Sequence, residues 1–129
     1  MESKDPPKPT STELDILRVL WERGPSTVRE VHDVLARSKP IGYTTVLKLL
    51  QIMTAKGSVT RNEDSRAHVY EARQPAENTK RQLVGDLLQR AFAGSASELM
   101  LHALQGKKAS RQEIEQIRRM LDEYEERTT

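Results

Sequence analysis

Four times along this chain a serine or threonine is followed three residues later by a glutamate: Thr10 to Glu13, Thr27 to Glu30, Ser95 to Glu98 and Ser110 to Glu113. In such a pair the hydroxyl accepts from a free amide of the starting helix while the carboxylate reaches back to the capping residue's own amide, so each pair marks a helix start. Gly24, Gly57, Gly94 and Gly106 follow apolar segments of helical spacing, where glycine accepts a left-handed closing position without a Cβ clash. With these starts and stops the chain reads as six short helices.

The spacing predicts a first helix over Ser11 to Arg23 that buries Leu14, Leu17, Leu20 and Trp21, and a second over Val28 to Arg37 that buries Val28, Val31, Val34 and Leu35. The third opens on YTTVLKLL. Val46, Leu49, Leu50 and Met53 fall on one side of it, whereas Thr44, Lys48 and Gln51 point the other way. Leu47 stands near the border, an exposed aliphatic residue that the core stripe does not need. After Gly57 the pattern changes to alternation, and Ser58 to Arg61 and His68 to Ala72 read as two strands around the polar turn NEDSRA. So short a hairpin is not stable alone and must lean on the three helices before it.

A fourth helix takes Pro75 in its first turn and carries Leu83, Val84, Leu87, Leu88, Ala91 and Phe92. The fifth has Leu99, Met100, Ala103 and Leu104, and the sixth has Ile114, Ile117, Leu121 and Tyr124 at heptad-type spacing. Three short amphipathic helices with that much aliphatic surface do not close easily on themselves, so a second copy is the economical partner. Val, Ile, Leu and Phe make up only 28 of the 129 residues, which also favours a shared core. The expected organisation is a flexible arm over 1–10, a unit of three helices and a hairpin over 11–74 and a helical dimerisation unit over 75–129. The seam would use Leu87, Phe92, Leu99, Leu104, Ile114, Ile117, Leu121 and Tyr124.

Charge is close to balanced, with 21 Lys and Arg against 19 Asp and Glu, and does not by itself announce a polyanion partner. The order of elements says more. Three helices followed by a hairpin is the winged helix-turn-helix order, in which the third helix enters the major groove and the hairpin tip reaches the backbone. Thr44, Thr45, Lys48 and Gln51 would then face base edges, Leu47 would meet a thymine methyl, and Arg61, Arg66 and Lys39 would meet phosphate. Arg29 is a further phosphate candidate. Periodicity alone leaves two readings of that face open, a DNA-reading surface or a plain solvated one; likewise Arg61 and Arg66 could simply pair with Glu63 and Asp64. A winged-helix module that meets a protein instead of DNA is the alternative from another class.

Other functions find little support. The chain has no cysteine, which excludes thiolate metal sites and disulfides and fits a reducing cytoplasm. His32, His68 and His102 form no ligand pattern, and no nucleophile elbow, phosphate loop or HExxH motif is present, so neither catalysis nor a metal or other cofactor is expected. The start MESKDPPKPT lacks the apolar segment of a secretory signal, and no apolar run suits membrane insertion. A cytoplasmic protein is expected.

The segment from LDILRVLWERGPSTVREV through YTTV and KG to the hairpin ending VYEA, with the later AFAGSASELMLHALQ and SRQEIEQIRRML, resembles the penicillinase-repressor family, the BlaI/MecI/CopY group of bacterial repressors. The resemblance runs from about residue 11 to 125. It implies a homodimer that binds a palindromic operator and blocks transcription, with base contacts at Thr44, Thr45, Leu47 and Lys48. Family members commonly carry a basic residue and then threonine where this chain has Leu47 and Lys48, so the operator sequence does not carry over. In the antibiotic-resistance branch a membrane sensor-protease leads to cleavage at an Asn-Phe bond; the matching bond here is His102-Ala103, which departs from that pattern. Copper sensing through C-terminal cysteines, known in another branch, is excluded.

Overall fold

The computed structural model describes residues 8–64, 66–106 and 108–128. Most of the expected arm, residues 1–7, lies outside them. Thr10 belongs instead to the first helix, α1 (Ser11–Arg23): its hydroxyl accepts from the Glu13 amide at 3.3 Å and its own amide donates to the Glu13 carboxylate at 3.0 Å. After Gly24, whose φ of 87° suits only glycine comfortably, comes a two-residue strand, β1 (Ser26–Thr27). Thr27 is also the cap of α2 (Val28–Leu35), closing a second complete box with Glu30. This helix ends two residues short of the expected Arg37, because the amides of Arg37 and Ser38 turn back to Val34 and Leu35 in a tightened last turn ahead of Pro40.

α3 (Tyr43–Lys56) closes on Gly57 in the left-handed conformation, φ 84° and ψ 12°, and the Ser58 amide returns to Met53. Then β2 (Val59–Asn62) and β3 (Val69–Ala72) form the hairpin, with Val59 opposite Ala72 and Arg61 opposite Tyr70. β1 pairs antiparallel on the other edge of β3, so the sheet has three strands in the order β1-β3-β2. The third strand was not expected. Two residues carry no periodic signal, and only pairing with β3 makes them a strand.

Three helices and the sheet enclose one core: Ile16, Leu17, Val19 and Leu20 from α1, Val28, Val31 and Leu35 from α2, Val46, Leu50 and Met53 from α3, with Val59 and Tyr70 from the hairpin. Ile16 and Val19 take the places expected for Leu14 and Trp21, which are half-buried. α1 packs against both α2 and β3, and this broadens and rotates its inner face. Trp21 lies along the rim and its indole N–H donates to the Gln74 carbonyl at 3.0 Å, keeping an aromatic body dry and its polar end satisfied. Val34 and Leu49, also expected inside, are half-buried at the margin. Among the described residues no buried side-chain nitrogen or oxygen lacks a partner.

The chain divides between Val84 and Gly85, within α4 (Ala76–Phe92), into two compact units. The junction of Gln74 and Pro75 marks the end of the hairpin region and the approach to α4. In the second unit α5 (Ala96–Gly106) and α6 (Arg111–Thr128) each start with a serine hydroxyl accepting from the glutamate amide three residues on, Ser95 from Glu98 and Ser110 from Glu113. Neither helix buries a residue within the single chain. Leu87, Leu104, Ile114, Leu121 and Tyr124 are exposed, and Phe92, Leu99 and Ile117 are half-buried.

Glu13 is the one buried acid among the described residues, and both its oxygens meet Lys56 Nζ, at 3.1 and 3.0 Å. Burial pushes its carboxyl up, but the Thr10 amide, then Lys56 and the Thr10 hydroxyl together outweigh it and hold the group below the ordinary value of 4.5. The ionised form therefore stabilises the fold fully above that value, and this contribution is lost as pH falls through the lower folded value. Glu13→Gln should keep the cap, reduce unfolding free energy at pH 7 by about 1–3 kcal/mol, and flatten the loss of stability below pH ~4.5. Urea titrations of both proteins across pH check this; parallel acid profiles would remove Glu13 as the responsible group.

Candidate nucleic-acid interface

The turn into α3 is held by a side chain from α2. His32 Nε2–H donates to the Ile41 carbonyl at 2.9 Å, and its ring stands edge-on to Tyr43 with centroids 6.1 Å apart. α3 begins at Gly42, which offers no capping side chain, so its first amides are left to solvent or to an incoming acceptor. From there the helix has two faces. Val46, Leu50 and Met53 are fully buried, while Thr44, Thr45, Lys48 and Gln51 are all exposed. The buried side fixes the height and rotation of the exposed one, which presents two hydroxyls, an ammonium and a carboxamide over about two turns.

Leu47 departs from its expected role as a free aliphatic. It is half-buried, packs on the edge of the core, and with Val28, Tyr43 and Tyr70 lines a groove between α3 and the hairpin. Arg29 and His68 line the same groove and bring positive or hydrogen-bonding capacity to it. His68 and the exposed Tyr43 carried no signal as interface residues, since a single histidine at a strand start and an aromatic at a helix start have many other uses.

The cations of the hairpin and loop differ in freedom. Arg61 forms an ion pair with Glu63 and stands opposite Tyr70 across the β2–β3 ladder. The Tyr70 side chain first, and then Glu63, hold the Arg61 pKa above its ordinary value against desolvation. Lys39 is bonded to Asp15 at 2.6 Å, in a separate groove between α1 and α2 that Arg18 and Glu22 also line. Arg66 is exposed, and among the described residues no carboxylate is paired with it. Thus Thr44, Thr45, Lys48 and Gln51 share one exposed face, Leu47 borders it, and Arg66 lies in the hairpin, whereas Arg61 and Lys39 are already held by acids. The described residues contain no group of three or more His, Asp and Glu able to hold a metal, and no helix among them is long and apolar enough to cross a membrane.

If His32 sets the entry to α3, His32→Ala should cost about 1 kcal/mol of stability through the lost hydrogen bond to Ile41. It should also raise hydrogen exchange at the Val46 and Leu47 amides, the first bonded amides of α3. Exchange unchanged at those amides would mean that the backbone turns alone fix the entry.

The penicillinase repressor family profile matches residues 9–123. The chain is 33% identical over 108 residues to the transcriptional regulator BlaI of Mycobacterium tuberculosis, covering 82% of this chain and 77% of that protein. The penicillinase repressor of Bacillus licheniformis is 22% identical over 121 residues, or 94% of each chain. Among solved structures, the monomeric form of Bacillus licheniformis BlaI in complex with the blaP half-operator superposes with a TM-score of 0.51 at 20% identity, over 57% of this chain and 90% of that one.

Proposed function

This chain belongs to the penicillinase repressor family of DNA-binding transcriptional repressors, and we propose that it acts as a homodimer on a two-fold symmetric operator. Residues 11–74 bind DNA in this reading and residues 75–129 dimerise. The observation that carries it is the exposed row Thr44, Thr45, Lys48 and Gln51 on a helix whose other side is anchored in the core. Hydroxyls and a carboxamide can read base edges, Lys48 reaches guanine or phosphate, and Leu47 at the border meets a thymine methyl. Arg66 contributes charge from the wing; Lys39 and Arg61 do so only on leaving Asp15 and Glu63. Affinity would come mainly from phosphate neutralisation and specificity from α3.

The second unit supports the dimer. Leu121 and Tyr124 are 61% and 62% exposed, and a single copy of α5 and α6 buries none of its residues. A partner copy that covers the seam would place two α3 helices on one face of the duplex, with half-sites about 10 base pairs apart or a multiple of that. Derepression by a sensor-protease or another partner completes the reading. The bond His102-Ala103 lies inside α5, with the His102 ring 5.6 Å from that of Phe92, so cleavage there would require local unwinding.

Fluorescence anisotropy of the whole protein on the duplex upstream of its own gene, with scrambled competitor and varied salt, tests the reading. Competitor-resistant binding that weakens steeply with salt is the expected result. Lys48→Ala should cost operator binding about 1–3 kcal/mol and random-duplex binding less; equal losses would make Lys48 a phosphate contact only. Leu121→Asp places a charge in the seam and should shift sedimentation toward the monomer and weaken operator binding together. A variant that remains dimeric overturns that seam.

A further inference from the structure

The wing carries a carboxylate where a DNA-binding surface would be expected to carry only cations. Arg61 lies directly opposite Tyr70 across the β2–β3 ladder, so both side chains share a face. Tyr70 is buried, and Glu63 closes an ion pair on the Arg61 guanidinium beside it. The turn is also set locally: the Asp64 amide donates to the Asn62 side chain at 2.9 Å. Arg61 is therefore placed beside a phenol anchored in the core and held by an acid two residues away. A planar guanidinium matches carboxylate and phosphate with the same donors, so the two anions compete for it.

We propose that Glu63 is a built-in phosphate surrogate that occupies Arg61 in the free protein and sets how strongly the wing takes hold of DNA irrespective of sequence. This inference rests on the DNA-binding reading above and extends it to the control of non-specific affinity. A phosphate reaches Arg61 only by displacing Glu63, and the displaced carboxylate then stays beside the DNA backbone. The wing gains one fewer net phosphate contact than its arginines suggest. Because sequence-independent binding is essentially all phosphate neutralisation, the pair acts most directly on that mode. Glu63 works through Arg61, as a positioning residue, and not by its charge alone.

The test is a double-mutant cycle on the full-length protein, with anisotropy on a random duplex and on the upstream duplex across a salt series. Glu63→Gln should raise random-duplex affinity by about 3- to 10-fold near 0.1 M salt and steepen the slope of log K against log salt by about 1, the signature of one added phosphate contact. Arg61→Ala should abolish that gain, so that Glu63→Gln has no effect in the Arg61→Ala background. A gain of the same size in both backgrounds would mean general charge repulsion and overturn the proposal, as would an unchanged slope in Glu63→Gln. If the wild-type protein binds neither duplex at low salt, the DNA-binding reading itself fails, an outcome distinct from binding that ignores Glu63. Arg61→Lys separates the fork from the charge: a lysine keeps the cation but loses the two-point match, and most of the Glu63 effect should disappear with it.

Discussion

Glu13 joins two structural tasks in one carboxylate. It closes the capping box of α1 through the Thr10 amide, and it receives the ammonium of Lys56 from the last turn of α3. A buried acid with an unfilled oxygen would cost several kcal/mol, so its position is tolerated only while both partners are in place. That requirement ties the beginning of the first helix to the end of the third. Between these two ends lie the buried rows of α1 and α3, and the direction in which α3 presents its exposed face follows from them.

The proposed reading surface depends on this anchoring more than on its own side chains. Thr44, Thr45, Lys48 and Gln51 contribute little to stability where they stand, being exposed. Val46, Leu50 and Met53 on the opposite face hold the helix against α1, α2 and the sheet, and His32 holds its entry through Ile41. A surface that must match base edges benefits from such rigidity, because each hydrogen bond to a base requires placement within a few tenths of an ångström.

Charge is handled with economy in the first unit. Several basic side chains of this unit have acidic partners of their own: Lys39 with Asp15, Arg61 with Glu63, Arg23 with Glu30. Such exposed pairs stabilise the fold only weakly. Their larger consequence is for association, since each pair removes a cation from the field that would draw in a polyanion. A protein with a formal charge of only +2 is thereby suited to depend on where its contacts fall, with fewer contributions from bulk attraction.

The family and the helices were legible in the sequence because the signals are local. The capping boxes at Thr10 and Thr27, the hydroxyl caps at Ser95 and Ser110, which lack the returning glutamate bond, and the stop at Gly57 act within one turn of chain, and the polar row of α3 follows from helical periodicity alone. What the tertiary structure decided is whatever depends on a distant partner. β1 is a strand only because β3 lies beside it; α1 turns Ile16 and Val19 inward because two elements cover it; and Leu47 sinks to the core margin because the wing closes on it. The fate of each cation belongs to the same class. Lys39 and Asp15 lie 24 residues apart and Lys56 and Glu13 lie 43 apart, so no window of sequence shows them meeting, whereas Arg61 and Glu63 are close in sequence and only the ladder sets their pair opposite Tyr70.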